Sequence, residues 1–84
     1  MNGCERIPVK TKMLALTGAG TEVDCEGLEV TVYADGGDVC LKTVKSVSDS
    51  DAFVIANGSC LTLGGRFVLS GTSGKARLLF CRLL

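Results

Sequence analysis

Residues 28–37 read Leu-Glu-Val-Thr-Val-Tyr-Ala-Asp-Gly-Gly, and this stretch decides the fold class. Apolar and polar residues alternate through it, as they do in a strand that buries one face. The predicted buried face consists of Leu28, Val30, Val32 and Ala34, and the opposite face of Glu29, Thr31 and Tyr33. The Asp35-Gly36 pair suits the positive φ angles of a tight turn, and an apolar, β-branched run returns over residues 39–44. The pattern predicts a β-hairpin over residues 28–44.

Short strand-like runs bounded by glycine continue on both sides of this stretch. They predict strands over residues 11–17, 22–25, 52–56, 59–63, 66–70 and 75–84. Glycine in nearly every connection argues against helices, because each glycine inside a helix costs about 1 kcal/mol relative to alanine. The runs of the C-terminal half are predicted to pair as successive hairpins, with a polar connection over residues 46–51. Seven to eight short strands at this spacing predict an all-β fold, a small antiparallel β-sandwich or jelly-roll-like barrel.

The chain is long enough for one hydrophobic core, so we assign residues 1–84 to a single β domain. Residues 1–10 precede the first predicted strand and could form an extended N-terminal arm. The last predicted strand is apolar on both faces, with Ala76, Leu78 and Phe80 on one and Leu79, Cys81 and Leu83 on the other. Such a strand is expected at the centre of a sheet or at an interface.

The composition argues against several classes of function. Nine Lys and Arg residues balance nine Asp and Glu residues, so no net charge attracts nucleic acid or an anionic membrane. The chain has no His, which removes the commonest general base and metal ligand and excludes a Ser-His-Asp triad. We therefore expect a protein that is not an enzyme, without catalytic, cofactor-binding or metal-ligating residues and without a cofactor. We also expect no nucleic acid as partner, because the net charge is zero. We expect no membrane as partner, because the apolar runs are far shorter than the ~20 residues that cross a bilayer.

The five cysteines could be interpreted as a disulfide framework or as a metal site. They are Cys4, Cys25, Cys40, Cys60 and Cys81, an odd number without any C-x-x-C pair. The N-terminus shows no basic segment followed by an apolar one, so no signal peptide is predicted and synthesis in a reducing cytosol is expected. We interpret most of the five as small buried hydrophobic residues. The alternative is a secreted, disulfide-bonded domain.

The remaining candidate motifs each have a simpler explanation. The carboxylates Asp24, Glu26, Asp35 and Asp38 could be paired acids or calcium ligands, but turn chemistry and solvation account for them. Phosphate cradles could be sought at Gly64-Gly65 and over residues 71–74, yet neither precedes a helix. A basic cluster for nucleic acid could be formed by Arg66, Lys75, Arg77 and Arg82. Solvated strand faces or intersubunit ion pairs are the expected roles of these four, since no run of alternating basic and aromatic residues accompanies them.

Residues 24–84 resemble a group of small virion proteins encoded by tailed bacteriophages and prophages. The resemblance rests on the strand and Asp-Gly turn of residues 30–37, on Asn57-Gly58-Ser59-Cys60-Leu61-Thr62-Leu63, and on the strands and small-residue turn of residues 66–80. Such proteins are β-sandwich or jelly-roll-like modules that serve as decoration, head-fibre, head–tail or tail components. The resemblance thus implies a structural subunit of a virion that contacts other virion proteins.

The size of the domain favours self-association, and the apolar residues 78–84 either close the core of the monomer or form an interface. A domain of this length buries only about 60% of the surface of its unfolded chain, and oligomerisation is a common supplement. Together with the resemblance, this leads us to expect a homo-oligomeric, non-enzymatic structural subunit of a phage or prophage particle, made in the bacterial cytoplasm and then assembled into the virion. The alternative is a small β-barrel that binds a peptide, a carbohydrate or a nucleic acid. A concave patch lined by Tyr33 or Phe67 would favour that alternative.

Overall fold

The computed structural model describes residues 5–45 and 51–84, and these form eight strands. In chain order they are β1 Arg6–Ala15, β2 Thr21–Asp24, β3 Glu29–Asp35, β4 Val39–Thr43, β5 Phe53–Ile55, β6 Cys60–Leu63, β7 Arg66–Ser70 and β8 Lys75–Leu83. Four of them form the first sheet in the order β1-β8-β3-β6, and the other four form the second sheet in the order β2-β7-β4-β5. All neighbouring strands within these sheets run antiparallel.

The strand pairing is nested along the chain. The first strand pairs with the last, β2 with β7, β3 with β6, and β4 with β5. Pairing of β3 with β8 and of β4 with β7 joins these hairpin arms into the two sheets. A long hairpin rolled up in this way is a jelly roll, in which two antiparallel sheets enclose the core. The predicted all-β fold class, an antiparallel sandwich of seven to eight strands, is confirmed.

The predicted hairpins, by contrast, are wrong. The two strands around the Asp35-Gly36 turn lie in different sheets, so this turn carries the chain across the sandwich. The same holds for the connections at Asn57-Gly58, at Gly64-Gly65 and over residues 71–74. Among consecutive strands of the described residues, only β4 and β5 pair with each other. A turn motif shows where the chain reverses, but it does not show whether the next strand pairs in the same sheet or stacks about 10 Å away in the other.

The core lies between the two sheets and is apolar. As predicted, the inner face of β3 is formed by Val30, Val32 and Ala34, all fully buried. Phe67 and Leu69 of the second sheet belong to the same buried cluster. No polar or charged residue of the described part of the chain is buried. Hydrophobic burial therefore stabilises the sandwich at about 25 cal/mol for each Å² of apolar surface removed from water.

The strand register gives the position of the last strand and the start of the first. The last strand lies between β1 and β3, which confirms its predicted central position. The first strand begins at Arg6, so residues 6–10 pair with β8 and are not part of an arm. Sequence alternation misses this half of β1 because its side chains are largely exposed and because the register shifts between Pro8 and Lys10.

Of the polar connection predicted over residues 46–51, only Asp51 lies within the described residues. The described residues contain no helix that is long and apolar enough to cross a membrane.

Candidate binding surface on the first sheet

The outer face of the first sheet brings together side chains from all four of its strands. Cross-strand register forms one rung from Met13, Arg77, Tyr33 and Cys60. The next rung is formed by Thr11, Leu79, Thr31 and Thr62. We call these eight residues the outer rungs. Strand alternation directs them away from the core, because their neighbours along the chain, such as Val32 and Leu78, are buried.

A groove of about 670 Å³ runs over the outer rungs. Its lining residues are Thr11, Lys12, Met13, Thr31, Tyr33, Cys60, Arg77, Leu78 and Leu79. Three large apolar or aromatic side chains are exposed along it: Met13 at 53%, Tyr33 at 41% and Leu79 at 36%. Exposed apolar side chains that lie on one face can be buried against another molecule.

Ion pairs flank the groove at both ends. The Arg77 Nε donates a hydrogen bond of 2.6 Å to Asp35 Oδ2 near one end. This hydrogen bond lowers the pKa of the Asp35 carboxyl, and the nearby charges of Arg77 and Lys75 lower it further. Toward the other end, Arg6 pairs with Glu29. These two pairs balance their charges within the chain, whereas Lys12 adds a positive charge to the lining. Between the two pairs the lining is mostly apolar.

Beside the groove, the outer rungs also contain a pair of hydroxyl groups that satisfy each other. Thr31 Oγ1 and Thr62 Oγ1 lie 2.8 Å apart, at directly paired positions of β3 and β6. Either hydroxyl can donate, so the pair can reorient toward an incoming ligand. Chemically, the surface can therefore offer an aromatic face, a guanidinium and two hydroxyls within an apolar surround.

The carboxylates singled out in the sequence serve local structure. Asp24 Oδ1 accepts a 2.9 Å hydrogen bond from the backbone N–H of Glu26. The Glu26 carboxylate lies 3.5 Å from Lys10 Nζ, across the open edge between β1 and β2. Asp38 Oδ1 accepts a 2.9 Å hydrogen bond from the backbone N–H of Asn57. The structure does not bring these carboxylates together, and no group of three metal-binding side chains occurs among residues 5–45 and 51–84.

The candidate basic and glycine motifs are also separated. The guanidinium of Arg66 forms an ion pair with Glu22 on the second sheet, and this pairing raises the pKa of Arg66. Arg77 forms its ion pair on the first sheet. The basic residues therefore do not form one patch. Gly65 and Gly74 occupy turns at φ +84°, which explains both glycine motifs by turn geometry.

The cysteines of the described residues differ in burial. All four cysteines of the described residues are free thiols, and Cys25 and Cys81 are buried as predicted. Cys40 is half-buried and Cys60 is exposed, so the burial predicted for most of the five is found for two of the four that the structure describes. Burial raises the pKa of the Cys25 thiol, and the negative charge of Asp24 adds to this effect. Cys4 lies outside the described residues.

Sequence reasoning found part of this surface and missed the rest. Of the two aromatic residues considered for a binding patch, Tyr33 lies in the groove, whereas Phe67 is 2% exposed and belongs to the core. The last strand is apolar on both faces, and this pattern indicated that Leu79 lies on the face away from Leu78. Nothing in the sequence placed Met13 beside that strand, because this pairing joins positions about sixty residues apart.

Comparison with protein-family models, with curated proteins and with solved structures found no match to this chain.

Proposed function

We propose that this protein is a non-enzymatic structural subunit that self-associates, and that it serves in a phage or prophage particle. The exposed apolar surface formed by the outer rungs carries this proposal. The jelly-roll strand order supports the setting in a particle, because viral capsid domains use this architecture. Lectin domains and cupins use this architecture as well. The fold therefore favours a role in a phage particle only in combination with the exposed apolar surface of the outer rungs.

The physical case for self-association rests on what this surface gains by leaving water. Burying Met13, Tyr33 and Leu79 against another protein removes apolar area from water at about 25 cal/mol per Å². The Arg77–Asp35 and Arg6–Glu29 pairs already balance charge at the rim. An interface over the apolar part of this surface can therefore be formed by a copy of the same chain, with Lys12 at the edge of the surface.

Sedimentation velocity over a range of micromolar concentrations tests self-association. We expect the wild-type chain to form an oligomer and the Leu79→Lys variant to shift toward monomer, because a lysine would be buried in the interface without a partner. Val54→Lys is the control, since Val54 is also exposed but lies on the second sheet. A wild-type chain that stays monomeric throughout contradicts the proposal.

The proposed role in a phage or prophage particle needs a separate test. We expect peptides of this protein in mass spectra of phage or prophage particles purified from cells that carry its gene. Genes for portal, capsid or tail proteins should also lie beside it. An oligomer that is absent from such particles contradicts the virion role and leaves self-association standing.

A second candidate function, carbohydrate binding, is favoured by Tyr33. An aromatic ring can stack on the apolar face of a sugar, and the neighbouring Arg77–Asp35 pair and threonine hydroxyls can bind sugar hydroxyls. Calorimetric titration or a glycan array should then show saturable binding by a monomer. Tyr33→Ala should abolish this binding, whereas Tyr33→Phe, which keeps the ring, should preserve it.

A further inference from the structure

We infer that Asn57 is a site of deamidation that the folded chain holds unreactive, so that its modification requires one end of the sandwich to open. The chain has two asparagines, and glycine follows both, as Asn2-Gly3 and Asn57-Gly58. Asn2 lies outside the described residues, whereas Asn57 is exposed in the turn between β5 and β6. Glycine has no Cβ atom to hinder attack by its backbone nitrogen on the preceding side chain, so the Asn-Gly pair favours this reaction.

The chemistry needs only water as a co-reactant. The backbone nitrogen of Gly58 loses its proton to a base in solution and forms a bond to the side-chain carbonyl carbon of Asn57. The bond between this carbon and the side-chain nitrogen breaks, and the nitrogen takes up a proton and leaves as ammonia. Water then opens the cyclic imide at either of its carbonyl groups. Each event consumes one water, releases one ammonia and leaves aspartate or isoaspartate at residue 57.

Hydrogen bonds hold both of the groups that must react. The Gly58 N–H donates a 2.8 Å hydrogen bond to the Ala34 carbonyl. Asn57 Oδ1 accepts a 2.9 Å hydrogen bond from the Gly36 N–H. The nitrogen can attack only after it gives up its proton, and the side chain must rotate to meet it, so both hydrogen bonds have to break. The folded state therefore disfavours the reaction.

A third hydrogen bond fixes the backbone of the same residue. The Asn57 N–H donates 2.9 Å to Asp38 Oδ1. The three partners of this turn, Ala34, Gly36 and Asp38, all belong to the end of β3 or to the turn that follows it. Asn57 and Gly58 are thus released together when the turn between β5 and β6 separates from the end of β3. Such local opening is less costly than global unfolding, and deamidation makes a permanent record of it.

Neither product restores the closed arrangement of the turns. Isoaspartate carries the main chain through the former side-chain carbon, so the acceptor for the Gly36 N–H is lost. Aspartate keeps an oxygen there but adds a negative charge close to Asp38, whose Oδ1 lies 2.9 Å from the backbone nitrogen of residue 57. Asn57→Asp reproduces this second product. It should unfold at a lower urea concentration than the wild type at neutral pH, and a variant of equal stability contradicts the stated effect of the charge.

The rate of deamidation in the full chain tests the inference. Mass spectrometry follows the conversion of Asn57 during incubation at mildly alkaline pH, and a synthetic peptide of residues 53–61 in the same buffer gives the rate without the partners from β3. We expect deamidation in the folded chain to be at least about tenfold slower than in the peptide, because two hydrogen bonds must break first. Equal rates in the chain and in the peptide overturn the inference.

Variants of Asp38 test whether attachment of the turn to the end of β3 sets this rate. Asp38→Ala removes the acceptor of the Asn57 N–H and should speed deamidation of the folded chain on the order of fivefold. Asp38→Asn keeps an oxygen acceptor and should retain the slow rate. Asp24→Ala is the matched control, because Asp24 also accepts a 2.9 Å backbone hydrogen bond but lies before the start of β3. Circular dichroism checks that each variant is folded. An unchanged rate in Asp38→Ala, or an equal increase in Asp24→Ala, overturns the inference.

Discussion

Gly74 packs directly against Gly36, so that a Cβ atom on Gly74 would lie 2.7 Å from the Gly36 carbonyl carbon. This contact joins the turn between β3 and β4 to the turn between β7 and β8. Both glycines have positive φ angles, and Gly37 likewise lies too close to Ser73 for a side chain. The two turns therefore interlock through their backbones, and they hold one end of the sandwich together.

We predict that Gly74→Ala lowers the free energy of unfolding by more than about 2 kcal/mol, since it adds a backbone clash to an unfavourable φ angle. Gly58→Ala is the matched control, because Gly58 has φ +87° but a Cβ atom added there would meet nothing within 4 Å. The control should lose only about 1–2 kcal/mol, the cost of the left-handed conformation. Urea denaturation measures both variants. Equal losses would show that the close approach of the turns contributes nothing.

The same contact illustrates how much of the fold the sequence predicts. The alternation of residues 28–34 and the turn glycines are local signals, and they located seven of the strands to within a few residues. The contact of Gly74 with Gly36 joins turns that are far apart in sequence, and no local signal reports it. Strand pairing is likewise non-local, which explains why the predicted hairpins became crossings between sheets.

The candidate surface was likewise predictable from local sequence signals only in part. Alternation correctly placed Tyr33 on the polar face of its strand. Its neighbours on the rung, Arg77 and Cys60, come from strands that pair with β3 only in the rolled-up topology. A groove built from cross-strand neighbours cannot be predicted until the pairing is known.

Lys10 closes the open edge of the core between β1 and β2. Its Nζ lies 4.7 Å from the centroid of the buried Phe80 ring and 3.5 Å from Glu26 Oε1. We predict that Lys10→Ala lowers the free energy of unfolding by about 1 kcal/mol through loss of the cation–π contact, the ion pair and the cover of the aliphatic stem. Lys10→Arg keeps a cation over the ring and should retain most of the stability. Thermal and urea unfolding should rank the variants in this order, and an alanine variant as stable as the wild type contradicts it.

Glu26 holds an unusual backbone conformation for a residue with a side chain. Its φ is +55°, Gly27 follows at +81°, and the Leu28 N–H donates a 2.9 Å hydrogen bond to the Cys25 carbonyl. Two positive φ angles define a type I′ turn, which favours asparagine at the first central position.

We therefore predict that Glu26→Asn raises the free energy of unfolding by about 0.5 kcal/mol, because relief of the backbone exceeds the loss of an exposed ion pair. Glu26→Ala loses the ion pair and keeps the strain, so it should be less stable than the wild type. The midpoints of urea unfolding should separate the two variants. If they coincide, the backbone of residue 26 is not strained.

The Arg77–Asp35 pair predicts a dependence of stability on pH. Its hydrogen bond keeps the pKa of Asp35 in the folded state below the ordinary value of 3.8. The stabilising contribution is then fully present above pH 3.8 and is lost as the pH falls through the folded-state pKa.

In Arg77→Gln the pKa of Asp35 should rise toward 3.8, as followed by NMR titration of its carboxyl carbon. The acid-induced loss of stability should then be smaller than in the wild type. Arg66→Gln removes a similar ion pair on the second sheet, and it should leave the pKa of Asp35 unchanged. A shift of Asp35 in this control variant contradicts the assignment.

Thiol reactivity tests the placement of the cysteines. In the native protein Cys60 should be alkylated on the order of tenfold faster than Cys25, because Cys60 is exposed whereas Cys25 is buried and has a raised pKa. Cys40 should react at an intermediate rate, and Cys81 as slowly as Cys25. Isotope-coded alkylation with mass spectrometry gives the rate at each site, and Cys60→Ser should remove the fastest phase. In denaturant without reductant all five cysteines should react, whereas a disulfide-bonded domain would leave at least two protected.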